Sequence, residues 1–395
     1  MTGATLSASY SGVRTDAAPQ AAWFKYGTSA SALTNTVYTD DILLGPSGSF
    51  SADVSNLSPA TTYYYQAYMT VWNGKEYVDI KSNVKSFTTR DEGHTTEDKP
   101  GYLSCGEIPT VKLSGTTRSG YETFPYKSDY SSEDEYNANR SHWFRYGVSG
   151  NSNQMVVTHT FIHNNKQKRN YSLLYDKTKR AALWVAFAMN SDAYPWSVDR
   201  SDKWVYDPAL DSDWQPNLSE AYQESSTYSR GHQVASNDRR TTIHQTRQTT
   251  YFSNMTPQLS GFNGGVWSSL EGDIQNIGSA TSGSDTLYVV TGPIFDDDYE
   301  TTPDRYGHDC AIPSQYFKCI MRVHFSGGEA VSAVGAAYLL DHENSGAERQ
   351  NVKISYIEQL TGFTFFSNIP ESIRTAAKNE VHPTSYFSQK RVATR

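Results

Sequence analysis

Short runs of alternating apolar and polar residues fill the first ninety positions. Thr5–Tyr10, Ala22–Tyr26, Ser49–Val54, Thr62–Tyr68 and Lys85–Thr89 each carry the period of two that turns one strand face inward. Clusters such as Gly45-Pro46-Ser47-Gly48 and Asn73-Gly74 separate them, and no stretch here sustains an apolar period of 3.6. The pattern predicts a β-sandwich over residues 1–90. Residues 91–101, DEGHTTEDKPG, are polar, charged and broken by Pro100-Gly101, which is linker chemistry. A metal cluster around His94 is the weaker reading of that stretch.

From Tyr102 the texture becomes mixed α and β, so the fold class expected for the whole chain is α+β. Tyr171–Tyr175 and Ala182–Ala188 read as strands of one hairpin around Asp176–Lys179. Leu287–Thr291 reads as a strand ended by Gly292-Pro293. Asn263 to Ile277 reads as a helix, with Val266, Trp267, Leu270, Ile274 and Ile277 on its apolar side. Ile354–Gly362 reads as a short helix stopped by its glycine.

Composition narrows the function classes. Aromatic residues make up 13% of the 395 positions, so the chain has ample apolar material to bury and is not a disordered tract. The longest apolar run, Ala181–Met189, is far below the ~20 residues of a membrane helix, and no signal-peptide pattern opens the chain. A net charge of −8 argues against a basic coat for nucleic acid but leaves room for a local basic cleft. Lys166, Lys168, Arg169, Lys177, Lys179 and Arg180, with Arg239, Arg240 and Arg247, could form such a footprint or an ordinary solvated surface. Cys105, Cys310 and Cys319 lack zinc-ligand spacing; a local Cys310–Cys319 disulfide and three free thiols both fit.

The chemistry concentrates between Tyr228 and Glu271. Ser229-Arg230-Gly231-His232 supplies an imidazole beside a guanidinium, and Asn263 and Glu271 stand eight residues apart on one helix, about 80° around its axis. Gly264 and Gly265 leave room for approach to the backbone. This set suits phosphodiester hydrolysis. A hard divalent ion takes oxygen ligands and keeps several waters, a neutral imidazole can accept a proton from water, and an arginine can balance charge developing on the phosphate.

In order along the chain, RGHQ, YFSNMTPQ and NGGVWSSLE resemble the motif of the DNA/RNA non-specific endonucleases, the ββα-metal family. YVVTGPIF, AIPSQYFKCIM, AAYLLDHE and YIEQLTGFTFFSNIP follow in family order, and ALWVAFAMN and KWVYDP precede them. The resemblance covers about residues 170–370 and implies a ββα-metal nuclease domain over 102–395. It implies His232 as general base, Asn263 as direct ligand of Mg²⁺ or Mn²⁺, and Glu271 as holder of metal-bound water. It further implies Arg230 and Arg200 at the phosphate, with Asn254 bracing the site. The implied activity is cleavage of DNA and RNA to 5′-phosphorylated fragments by a secreted, periplasmic or surface-exposed bacterial enzyme. Homodimers occur in the family, and nothing in this sequence marks an interface.

One departure stands out: Ser229 occupies a position where most members carry Asp. It motivates a rival reading, a catalytically degenerate nuclease fold acting as a nucleic-acid-binding or adhesion protein. The N-terminal segment has its own resemblance. WFKYGTSASAL, VSNLSPATTYYYQAYM and VKSFTTR resemble the strands and the Leu-x-Pro-x-Thr-x-Tyr corner of a fibronectin type III module, whose ligand, if any, is not written in the sequence. The start of the chain predicts that its first strand is short or absent.

Overall fold

The alternating segments of the first ninety residues become strands in the computed structural model, which describes residues 2–13, 19, 21–39, 46–58, 61–88, 101–122, 127–129, 131–133, 135, 136 and 140–388. The chain divides into two compact units, Met1–Lys99 and Pro100–Arg395. The expected linker lies outside the described residues except for its last position.

In the first unit, strands β1 (Thr2–Tyr10), β2 (Ala21–Gly27), β3 (Asn35–Tyr38), β4 (Gly48–Leu57), β5 (Thr62–Trp72), β6 (Tyr77–Lys81) and β7 (Lys85–Thr88) form two antiparallel sheets. β1 pairs with β4, while β3-β2-β5-β6 make the second sheet and β7 also joins β5. Leu6, Phe24, Phe50, Val54, Tyr63 and Met69 are buried in one shared cluster. The first strand is neither short nor absent: β1 runs nine residues, because its backbone is paired along nearly all of β4. β3 and β6 escaped the sequence pattern because both are mostly exposed and carry no inward alternation.

The second unit is built on a nine-stranded antiparallel sheet. Its members are β8 (Leu113–Tyr121), β9 (His142–Val148), β10 (Asn151–His163), β11 (Lys166–Asp176), β12 (Ala181–Met189), β15 (Asp285–Ile294), β18 (Gln315–Ser326), β19 (Glu329–Asp341) and β20 (Arg349–Val352). Spatial order is β20-β19-β18-β15-β12-β11-β10-β9-β8. Short pairs β13 (Tyr228–His232) with β14 (Met255–Leu259), and β16 (Thr301–Pro303) with β17 (Asp309–Ala311), lie off this sheet. Helices are few, so the second unit is sheet-rich.

β12 reads as one apolar run rather than an alternation because both of its faces are covered. Val185 and Phe187 join the core that buries the helix Ser268–Ser279, while Trp184 and Ala186 face the core of the helix Ile354–Thr361. That second helix ends at Gly362, whose φ of 72° is a conformation glycine adopts without steric cost. β15 does not stop at Gly292-Pro293. It continues to Ile294, because Gly292 and Pro293 stay in register with Phe317 and Tyr316 of β18. All three cysteines are free thiols. Among the described residues, no helix is long and apolar enough to cross a membrane.

The irregular segment between β12 and β13 is tied down by a buried charge cluster. His159 of β10 lies between Glu122 (Nδ1 to Oε1, 2.7 Å) and Asp207 (Nε2 to Oδ2, 2.9 Å). The Tyr251 hydroxyl donates to Glu122, and the Ser253 hydroxyl donates to Asp207. Burial opposes charge on the imidazole, but the two carboxylates overrule it and raise its pKa to about 10. His159 is therefore protonated in the fold. A raised histidine pKa contributes stability that is fully present below its ordinary value of 6.5 and lost as pH rises through about 10. We expect His159→Gln to lower the unfolding free energy by about 3–5 kcal/mol at neutral pH, since it leaves buried carboxylates unpaired. Denaturant titrations from pH 6 to 10 should show wild-type stability falling across that window and the variant's changing much less; parallel curves would contradict the assignment.

Candidate active site

The RGH segment becomes a strand because it has a partner. β13 pairs antiparallel with β14 in the register Arg230↔Pro257, Gly231↔Thr256 and His232↔Met255. Gly231 is needed for close approach, since a Cβ there would collide with the side chain of Gln258. Asn254 is fully buried and locks the turn that follows. Its Oδ1 accepts from Val234 N at 3.0 Å, and its Nδ2 donates to Val234 O at 3.0 Å and Thr249 O at 2.8 Å.

The helical segment opposite begins at Ser260, before the expected Asn263. Residues Asn263–Trp267 form a π turn in which Gly265 leaves helical geometry, and the α-helix Ser268–Ser279 follows. Such bulges are frequent at functional sites. Trp267, Leu270, Ile274 and Ile277 are buried beneath it. That leaves Asn263, Gly264, Glu271 and Gln275 on a polar cleft of about 630 Å³. A Cβ on Gly264 or Gly265 would meet nothing within 4 Å, so this turn leaves open space beside its backbone.

His232, Arg230 and Arg200 line the same cleft. The Arg230 guanidinium sits 4.1 Å over the Trp204 ring and donates to Leu218 O (2.9 Å) and Ser219 O (3.3 Å). Trp204 also stands 5.3 Å from the His232 ring. Arg200 is half-exposed and pairs loosely with Asp202 at 3.4 Å. Burial, with the positive charges of Arg200, Arg230 and Lys318, pushes the His232 pKa down to about 3. The imidazole is neutral at any ordinary pH.

Hydrogen-bond accounting assigns its tautomer. The Thr249 hydroxyl gives its proton to Thr246 O at 2.6 Å. The Ser236 hydroxyl, 2.8 Å from Thr249 Oγ1, must then donate to it. Having no second proton, Ser236 Oγ accepts from His232 Nε2–H at 3.2 Å. The chain Nε2–H to Ser236 to Thr249 to Thr246 leaves Nδ1 with its lone pair available.

Behind the cleft lies a charge cluster that the sequence did not reveal. Burial raises the Glu271 carboxyl to about 7; Lys318 opposes the shift and Asp238 adds to it. Asp238 is itself raised to about 6 by burial, opposed by Lys318 and Arg239. Lys318, buried, donates to Gln233 O and Thr291 Oγ1 and stands 4.1 Å over the Trp267 ring. Glu271 Oε1 and Asp238 Oδ1 are buried without a hydrogen-bond partner. Among the described residues, no group of three or more His, Cys, Asp or Glu side chains could hold a metal ion.

The model of the DNA/RNA non-specific endonucleases matches residues 149–372, which include every one of these cleft residues. The chain belongs to that family. Nuclease C1 of Cunninghamella echinulata var. echinulata is 28% identical over 220 residues, 52% of this chain and 84% of its own. A nuclease of Serratia marcescens is 29% identical over 239 residues, 59% of this chain and 82% of its own. A mitochondrial nuclease of Schizosaccharomyces pombe is 25% identical over 307 residues, 71% of this chain and 90% of its own. The unit Met1–Lys99 lies outside the family match.

In this endonuclease His232, Arg230, Arg200, Asn263 and Glu271 converge on one cleft, and buried Asn254 ties the backbone at Val234, two residues after His232. The Lys166–Arg180 cluster does not line the cleft. Neither does Arg239, which is fully buried and donates to Ala188 O. Sequence reasoning missed Ser236, Asp238 and Lys318; Trp204 was visible only as part of KWVYDP. We expect Ser236→Ala to lower kcat roughly tenfold to a hundredfold at unchanged KM. That is short of the ~10⁴-fold cost of losing a carboxylate partner to a catalytic histidine. Nitrogen-15 NMR of the His232 ring should show Nε2 protonated in wild type; protonation at Nδ1 would overturn the relay.

Proposed function

We propose that the protein hydrolyses phosphodiester bonds of DNA and RNA with one divalent cation, Mg²⁺ or Mn²⁺, and His232 as general base. The observation that carries this reading is the convergence of a neutral, tautomer-fixed imidazole with Asn263 and Glu271 on one cleft.

The donor set fits a hard cation. Asn263 offers an amide oxygen, Glu271 carries a buried oxygen without a hydrogen bond, and the turn at Gly264-Gly265 leaves space. When bound, the cation would polarise the scissile phosphate and stabilise the leaving oxygen. His232 Nδ1 accepts the proton of the attacking water, and the negative charge of a phosphate in the cleft would raise its basicity above that of the empty site. Arg230, fixed by two carbonyls and the Trp204 face, holds positive charge beside the developing phosphorane, and half-exposed Arg200 approaches the phosphate from solvent. Fragments with 5′-phosphate ends follow if water attacks phosphorus and the 3′ oxygen leaves.

The first unit is read as a fibronectin type III-like spacer. Its two sheets around one core support this, as does the Tyr63 hydroxyl, which accepts from Ser58 N at 2.9 Å as a tyrosine corner does. Export from a bacterial cell is consistent with such an appendage, and a homodimer with the family. A second reading has one observation in its favour. The Ser229 hydroxyl lies 3.1 Å from Ser260 Oγ and supplies no carboxylate beside Arg230, so a degenerate site that binds without cutting is the alternative.

Supercoiled plasmid and a structured RNA, each with Mg²⁺ and with EDTA, separate the two. We expect metal-dependent cleavage of both, with His232→Ala slower by at least a hundredfold; binding without turnover by wild type from pH 6 to 9 would favour the degenerate reading. The pH profile adds a check. Because Glu271 is raised to about 7 and His232 lowered to about 3, proton competition at Glu271 sets the acid limb. Metal affinity should weaken as pH falls below about 7 and level off above it. An acid limb in metal affinity that survives Glu271→Gln would contradict this.

A further inference from the structure

Beyond the end of the cleft lies a second, smaller cavity of about 250 Å³ that shares the Asp238 wall. Its character is opposite. Met189 and Gly278 are part of its lining, with Tyr194, Pro195 and Trp196 around it, so its walls are mostly apolar and aromatic where the cleft is polar. It falls below the roughly 300 Å³ at which drug-sized sites begin, which suits one ring system rather than a whole nucleotide.

Trp196 is the outlier. The residue is 49% exposed, yet the loop that carries it is held firmly. Asn190 Oδ1 accepts from Asp192 N and Ala193 N, Tyr194 N donates to Asn190 O, and Ser191 N donates to Thr281 O. On the far side, Ser197 N and Val198 N both donate to Arg240 O. The indole is thus presented to solvent by a fixed frame. Two cations stand beside the aromatic rings: Arg240 lies 5.4 Å from the Trp196 ring, and Lys168 lies 5.7 Å from Tyr194.

We propose that this cavity seats a nucleobase of the strand whose phosphate occupies the cleft, with Trp196 as its stacking platform. The inference rests on the phosphodiesterase reading of the cleft. Continuity supplies the occupant: the helix Ser268–Ser279 lines the cleft at Glu271 and Gln275 and the cavity at Gly278. At 1.5 Å per residue, Gly278 lies roughly 10 Å along the helix from Glu271. That span covers about three nucleotides at the stacked duplex rise of ~3.4 Å and fewer in an extended, unstacked strand, so a base close to the bound phosphate can reach the slot. A polymer that alternates phosphate with aromatic ring meets, in the same order, a polar cleft and an apolar aromatic slot edged by cations. Stacking tolerates every base, so the slot adds affinity without demanding sequence. It also requires an unstacked base, so it favours single-stranded substrate over duplex.

The test uses the full chain in EDTA, where binding is read without turnover. Fluorescence anisotropy with a single-stranded DNA 12-mer is compared with a 12-mer of abasic nucleotides carrying the same phosphates. Trp196→Ala should weaken binding of the normal 12-mer roughly fivefold to a hundredfold. It should leave binding of the abasic strand unchanged, and Trp196→Phe should retain most of the affinity. Equal binding of the normal strand by wild type and Trp196→Ala would overturn the proposal, as would equal losses on both strands. Cleavage of the normal 12-mer with Mg²⁺ is followed in parallel. Its absence in wild type would sink the phosphodiesterase reading, while the anisotropy comparison still decides whether the slot holds a base.

Discussion

Trp267, Leu270, Ile274 and Ile277 bury one side of the site helix against the central sheet, and that burial fixes which side of the helix meets the cleft. With the apolar side committed, Asn263, Glu271 and Gln275 fall on the cleft, while Asp273 pairs with Arg349 on another side. The π turn at Asn263–Trp267 adds a local adjustment to the helix between Asn263 and Glu271, and Gly265 absorbs the backbone change that this requires. β13 is fixed independently by its register with β14, and the Glu122–His159–Asp207 cluster pins the segment that brings Trp204 beside His232. Three separately anchored elements therefore meet at one place.

The electrostatics divide the labour between two histidines. His159, enclosed by carboxylates, is held charged and serves the fold; His232, surrounded by Arg200, Arg230 and Lys318, is held neutral and free to accept a proton. Two of the cations that keep the imidazole neutral, Arg200 and Arg230, also line the cleft. Lys318 sits buried between the demands of Glu271 and Asp238, each of which raises its pKa while burial lowers it. A divalent cation held at Asn263 and Glu271 would add positive charge where two buried carboxylate oxygens now lack hydrogen bonds.

Much of this was legible in the chain, for identifiable reasons. The strands with inward alternation, such as Ala21–Gly27 and Thr62–Trp72, and the periodic helix announced themselves because one face of each is buried. β3 and β6 did not, since a mostly exposed strand carries no alternation. Gly292-Pro293 suggested a strand end, yet neighbouring β18 carried the ladder through it. At the site, His232, Arg230, Asn263 and Glu271 were readable because they are close in sequence and ordered as a motif. Ser236, Asp238 and Lys318 act only through tertiary neighbours: a serine in a loop, an aspartate before two arginines and a lysine inside an apolar strand carry no local mark of their partners. Arg239 misled for the same reason. Its position just after the motif made it a candidate for a basic footprint or a solvated surface, but its guanidinium is turned inward to Ala188 O and the rings of Phe187 and Tyr194.

Under the proposed hydrolysis the helix and the strand contribute different things: a cation seat from Asn263 and Glu271, and a proton acceptor from His232. Titration calorimetry of Mn²⁺ into the full chain, compared with Asn263→Ala and His232→Ala, tests this most directly. We expect Asn263→Ala to lose Mn²⁺ binding while His232→Ala retains it within about twofold. Retention by Asn263→Ala with loss by His232→Ala would contradict the division of roles on which the mechanism stands.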